Sequence, residues 1–145
     1  MSTLTQSPTG AARVARLERV RMASFGALTM LVLQFVLGAA YSVYGTAPTA
    51  TKSVGLFSSA LLAIHVILGI LLIIVAAVLV FRAAQAKSGA VLGTSIVGLI
   101  AIIAAAGAGS AFAHDGANGA SFGMAIATGV AMLCYAANLV ILGKR

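Results

Sequence analysis

Acidic residues are nearly missing from this chain of 145 residues: Glu18 and Asp115 are its two carboxylates, against nine Lys and Arg. Trp is absent, Cys occurs once, and Pro and His occur twice each. Only 8% of residues are charged, whereas a soluble domain of this size carries roughly 25%. A soluble globular fold is therefore excluded. The single Cys134 cannot form an intramolecular disulfide, and no CxxC, HExxH, P-loop or nucleophile-base pair at a known spacing occurs. The reading for Cys134, Met30, Met124 and Met132 is apolar packing.

What the chain has instead is apolar length. Hydrophobic residues make up 61% of it, with a mean hydropathy of +1.12. A helix of about 20 apolar residues crosses the ~30 Å hydrocarbon layer. Four uncharged runs reach that length: Met22–Thr51, Ser53–Phe81, Ser88–Ala113 and Gly116–Gly143. Trimmed for turn residues, they predict spans at 22–44, 55–81, 89–113 and 121–142, preceded by a basic tail at 1–21. Connections this short make neighbours antiparallel, so the expected fold is all-α: an integral membrane four-helix up-down bundle over 22–145. No span contains a carboxylate, which excludes the proton exchange on which small multidrug exporters depend.

Positive charge sets the expected orientation. Arg13, Arg16, Arg19, Arg21, Arg82, Lys87, Lys144 and Arg145 fall at one end of the bundle and Lys52 alone at the other. Lys and Arg are retained on the cytoplasmic side, so both termini are expected there, in a multi-pass protein of the cytoplasmic membrane. Nucleic acid is not an expected partner, because no aromatic residues interleave with the basic ones. Val14, Leu17 and Val20 form one stripe of the tail, and Arg13, Arg16 and Arg19 another. That pattern fits a short interfacial helix on anionic headgroups, or an ordinary positive flank to the first span. The small residues of Thr46-Ala47-Pro48-Thr49-Ala50 could mark a cleavage site, but the apolar run before them exceeds the usual ~15 residues of a signal peptide.

Polar groups inside the spans are few. Gln34 and His65 each lie ten residues from the predicted loop end of their helices, so antiparallel packing brings them to one depth as hydrogen-bond partners. Gln34 shares a face with Gly38, and His65 with Gly69. At that depth the third helix offers Ala104-Ala105-Ala106-Gly107-Ala108-Gly109-Ser110-Ala111, which has almost no side-chain volume. Two readings follow. Either the helices approach closely there, helped by Gly89 and Gly93, or the missing volume admits a flat cofactor such as haem or a quinone ring beside His65. His114, next to Asp115 in the loop region, could ligate a metal, cap a helix or simply be solvated, and lies ~15 Å of helix rise from His65.

The segments Leu33-Gln34-Phe35-Val36-Leu37-Gly38-Ala39 and Leu62-Ala63-Ile64-His65-Val66-Ile67-Leu68-Gly69 resemble the Leu-Gln-x-x-Leu-Gly helix and the His-bearing helix of one four-helix half of the haem A synthase family. That resemblance implies His65 as an axial haem ligand. The family's second His, on the fourth helix of the half, has no counterpart here, nor has the acidic residue before the first His. The whole chain is more similar to small four-span membrane proteins of actinobacteria with no assigned function. The third helix of small residues, Asn118-Gly119-Ala120-Ser121-Phe122 and Cys134-Tyr135 carry that likeness, which implies the fold and the membrane.

The expected function is accordingly non-catalytic: an accessory, assembly or interaction subunit, contacting the bilayer and either another membrane protein or further copies of itself. The alternative is a haem- or quinone-binding redox protein, with His65 and Gln34 as the cofactor-binding residues.

Overall fold

The computed structural model describes residues 8–46, 48–49, 51–116 and 118–144. Four helices account for most of them: α1 (Pro8–Tyr44), α2 (Ala60–Gln85), α3 (Gly89–Asp115) and α4 (Asn118–Gly143). All four are long and apolar enough to cross a membrane. Each packs against its neighbours in a ring, α1 on α2, α2 on α3, α3 on α4 and α4 on α1, with no contact across the diagonals among the described residues. This is the up-down four-helix bundle that the short connections predict.

The helix limits differ from expectation most at the starts of α1 and α2; α2 also runs on to Gln85, α3 to Asp115, and α4 begins at Asn118 rather than residue 121. The second helix begins at Ala60 rather than residue 55, because Ser59 adopts an extended backbone and its side chain accepts a hydrogen bond from the Leu62 backbone N–H. That is an N-cap, and it ends the preceding loop. The first helix runs unbroken from Pro8, so no turn separates the basic segment from the span. Val20 is buried and Leu17 packs against the core, whereas Val14 is exposed. The apolar stripe of the tail thus serves the bundle along most of its described length. Residues 1–7 of that tail, the small residues Ala47 and Ala50 of the cleavage-like segment, and Arg145 lie outside the described residues.

The two ends of the bundle are built differently. At the end bearing Lys144, the turn between α2 and α3 is tight, with Lys87 in the left-handed region at φ 52°. At the opposite end, the long loop between α1 and α2 folds back over the bundle. The Val54 N–H donates to the Ala113 carbonyl at 3.0 Å, and Tyr41 Oη donates to the Thr46 carbonyl at 3.0 Å. Gly116 ends α3 at φ 66° and lies so close to this loop that a Cβ would sit 2.5 Å from the Pro48 carbonyl oxygen. Only glycine meets both conditions.

Buried side chains gather in the half next to the α2–α3 turn, hereafter the terminal half: Val20, Ala27, Leu79, Ala83, Val91, Ala131, Tyr135 and Leu142. Polar groups join them. Asn138 Nδ2 donates to Ser95 Oγ at 3.0 Å, Thr94 donates to the Asn138 amide oxygen, and Ser95 Oγ donates to the Val91 carbonyl at 2.7 Å. The close approach of α3 and α4 is made by Gly98, where a Cβ would lie 2.9 Å from Tyr135 Cζ. Gly89 and Gly93, expected to bring helices together, are exposed, and a Cβ on either would meet nothing within 4 Å.

Candidate functional site

The other half of the bundle, the loop half, encloses a cavity of about 500 Å³. All four helices contribute wall: residues between Leu31 and Ser42 of α1, Leu62 and Ile73 of α2, Ile102 and Ala113 of α3, and Ser121 and Thr128 of α4. Pro48, Val54 and Leu56 of the long loop close it at the loop end. Leu31, Leu72, Ile102 and Thr128, all buried, form its floor against the packed core. Phe35 and Ile70 in the wall are 51% and 54% exposed, so the cavity is open on its flanks.

The small residues of α3 explain the space. Ala105, Ala106, Gly109 and Ser110 line the cavity; Met124 Sδ of α4 closes on Gly109, where a Cβ would lie 3.1 Å from it. Gly107 is exposed and lies outside the cavity wall, so the free space that a Cβ would find there belongs to the outer face. Of the two expectations for this segment, the structure shows the void and not close backbone approach.

Gln34 and His65 both face the cavity, but they pair differently from the expected side-chain contact. Gln34 Nε2 donates to the backbone carbonyl of His65 at 2.8 Å, and not to the imidazole. Each side chain instead lies over the other helix's glycine. A Cβ on Gly69 would sit 3.1 Å from Gln34 Nε2, and one on Gly38 would sit 3.2 Å from His65 Cε1. The Gln-x-x-x-Gly of α1 and the His-x-x-x-Gly of α2 thus interlock in antiparallel register, polar side chain over glycine at both levels. This survives the late start of α2 because the helix pairing, not the distance from the loop, sets the register.

That interlock leaves two polar atoms unsatisfied. Gln34 Oε1 and His65 Nδ1 are buried, and neither has a hydrogen-bond partner. Buried polar groups are normally paired, since desolvation without a partner is costly. The remaining wall is largely apolar, with hydroxyls at Tyr41, Ser42, Ser110, Ser121 and Thr128 and a thioether at Met124. Thr128 already donates to the Met124 carbonyl at 2.8 Å. Tyr41 and Ser42 donate to the Thr46 and Ala39 carbonyls, which leaves the Ser110 and Ser121 hydroxyls beside the buried amide oxygen and imidazole to address a guest.

Haem fits this wall poorly. His65 could supply one ligand and Met124 a second, but Met132 packs against the core instead, and no Lys or Arg lines the described wall to neutralise propionates. His114 stands at the last turn of α3, exposed. No cluster of three His, Cys, Asp or Glu side chains suited to a metal exists among the described residues. Cys134 is a free, half-buried thiol in the terminal half, away from the cavity. Sequence reading reached His65, Gln34 and the small third helix, but missed the contribution of Pro48, Val54 and Leu56, which no span-based pattern marks.

No family model matches this chain, and no curated protein or solved structure is significantly similar to it.

Proposed function

We propose that the chain is a multi-pass protein of the cytoplasmic membrane, both termini cytoplasmic, that acts by binding and not by catalysis. As an accessory or interaction subunit, it holds a small, neutral, lipid-soluble molecule within its own bundle. The observation that carries this reading is the cavity with two convergent unsatisfied polar atoms, Gln34 Oε1 and His65 Nδ1, in a wall otherwise largely apolar. Small-molecule sites have this character: mostly apolar walls and a few placed polar groups. The described wall includes no charged side chain, which favours an uncharged guest. His65 Nδ1 has no carboxylate or hydroxyl partner, so no acid-base or nucleophilic pair is assembled through that atom. The asymmetry of basic residues supports the orientation.

The test is extraction. The protein is purified in mild detergent, its bound lipids are removed with organic solvent, and these are identified by mass spectrometry beside Ala105→Phe, which places a ring in the cavity. A neutral lipid held at stoichiometric amount in the wild type and lost from the variant supports the reading. Identical lipid content in both overturns it.

A further inference from the structure

The two unsatisfied atoms in the cavity specify a guest more closely than the apolar wall does. Gln34 Nε2 is committed to the His65 carbonyl, which fixes the orientation of the amide: turned over, it would set oxygen against oxygen. The amide oxygen is left as an acceptor without a donor. A carbonyl-only guest cannot serve it, so the guest brings an O–H or N–H. His65 Nδ1 is the second free position and, in a neutral imidazole, either donates or accepts according to tautomer.

The spacing of these groups limits the guest further. The Gln34 amide lies over Gly69 and the His65 ring over Gly38. Gln34 and Gly38 are four residues apart on one helix, a rise of about 6 Å. The two polar contacts are therefore stacked along the bundle axis, about one turn apart. Two oxygens on opposite sides of a six-membered ring can address both levels, whereas one hydroxyl would reach both only by lying in line between them, about 2.8 Å from each. The ring itself has somewhere to lie beside α3, where Ala105 and Ala106 carry little side chain into the cavity; Gly38, Gly69 and Gly109 are already covered by His65, Gln34 and Met124. Three other buried polar atoms lack partners, Ser24 Oγ, Ser88 Oγ and Tyr135 Oη, but none of these residues lines the cavity.

We infer that the cavity takes the reduced head group of a quinone, a hydroquinone, with one ring hydroxyl donating to Gln34 Oε1 and the oxygen across the ring meeting His65 Nδ1. This rests on the cavity being a binding site, as proposed above. An apolar tail on such a ring leaves through the open flanks of the cavity into the acyl chains. Oxidation of the ring removes the donor, and sets a carbonyl oxygen against the amide oxygen. The site is therefore selective for the reduced form.

The experiment displaces an uncharged solvatochromic dye, Nile red, from the full chain in detergent, using a decyl-substituted benzohydroquinone and the same compound oxidised to the quinone. Loss of dye binding in Ala105→Phe shows that the dye reports the cavity. The expected result is displacement by the hydroquinone at a concentration at least tenfold lower than by the quinone, a factor equal to about 1.4 kcal/mol. Gln34→Leu should erase that preference, and His65→Leu should weaken both forms. The wild-type comparison needs no variant to fold. Equal displacement by the two forms, or a preference that persists in Gln34→Leu, overturns the hydroquinone assignment and leaves the cavity reading standing. A long-chain alcohol that competes as strongly as the hydroquinone overturns the ring. Absence of dye binding to the wild type overturns both readings.

Discussion

The two halves of this bundle use the same four helices to opposite ends. In the terminal half, large and small residues alternate across facing helices: Tyr135 closes on Gly98, and Leu79, Val20 and Val91 are fully covered. In the loop half, the small residues of α3 border a gap, and beyond its buried floor of Leu31, Leu72, Ile102 and Thr128 the buried residues among those described are Pro48 and Leu62. Polar groups do not divide so cleanly. Asn138, Thr94 and Ser95 bond to one another in the terminal half, but Ser24 Oγ, Ser88 Oγ and Tyr135 Oη are as unpartnered there as Gln34 Oε1 and His65 Nδ1 are at the cavity. Large apolar side chains are exposed on the outer faces of both halves, so the difference does not arise from apolarity; it arises from side-chain volume. One half is built to be rigid and the other to hold something.

The sharpest way to break this contrast is to add volume where there is none to spare. Gly98→Leu drives a branched side chain into Tyr135, which a Cβ alone would already approach to 2.9 Å. Overpacking of this kind costs about 1 to 3 kcal/mol, and the nearness of Tyr135 puts this variant at the upper end. The expected outcome is loss of the monodisperse species in detergent, or a melting temperature lowered by many degrees. A variant that melts like the wild type would mean that the α3–α4 contact is loose, and the terminal half no stiffer than the other. A smaller effect is expected for Asn138→Ala, which strands Thr94 and Ser95 without their side-chain partner and opens a small void. Each removed partner costs on the order of 1 to 2 kcal/mol. Thermal melts in one detergent would show the variant less stable than Gln34→Ala, whose loss leaves a single backbone carbonyl to the cavity.

How far the sequence revealed this division depends on the kind of signal. Apolar length and the short connections made the four-helix bundle legible, because crossing a bilayer imposes a length that few other structures require. The interlock of Gln34 with Gly69 and His65 with Gly38 was half visible: shared faces and equal depth followed from helical period, but the hydrogen bond to a carbonyl and not to the ring depends on the distance between helix axes, which period does not encode. The run Ala104–Ala111 was visible as missing volume, yet composition could not decide between close approach and a void. That is decided by the neighbouring helices, which stay apart at this level because the loop of 45–59 and the terminal-half core hold their ends. Gly98 was not distinguished from the other glycines of α3, since its role exists only opposite Tyr135. Ser59 carries no distinct cap signal because it stands inside the uncharged run Ser53–Phe81, beside a second serine, Ser58.

The smallest expected effect on stability is also the one that separates the halves most cleanly. Ala105→Phe introduces a ring into the loop half, a change that would be ruinous beside Tyr135. Here the wall leaves about 500 Å³ free, so the ring can occupy existing space without displacing backbone. Burying it adds apolar contact and costs some side-chain entropy, and the two nearly offset, leaving a change within about 1 kcal/mol. The melting temperature in detergent, without added lipid, should thus stay near that of the wild type. Saturating lipid extract should raise the wild-type melting temperature, because a guest that binds only the folded state stabilises it by mass action. The variant should show no such rise. If Ala105→Phe instead lowers stability as Gly98→Leu does, the loop half is packed as tightly as the terminal half, and the cavity does not persist in the membrane.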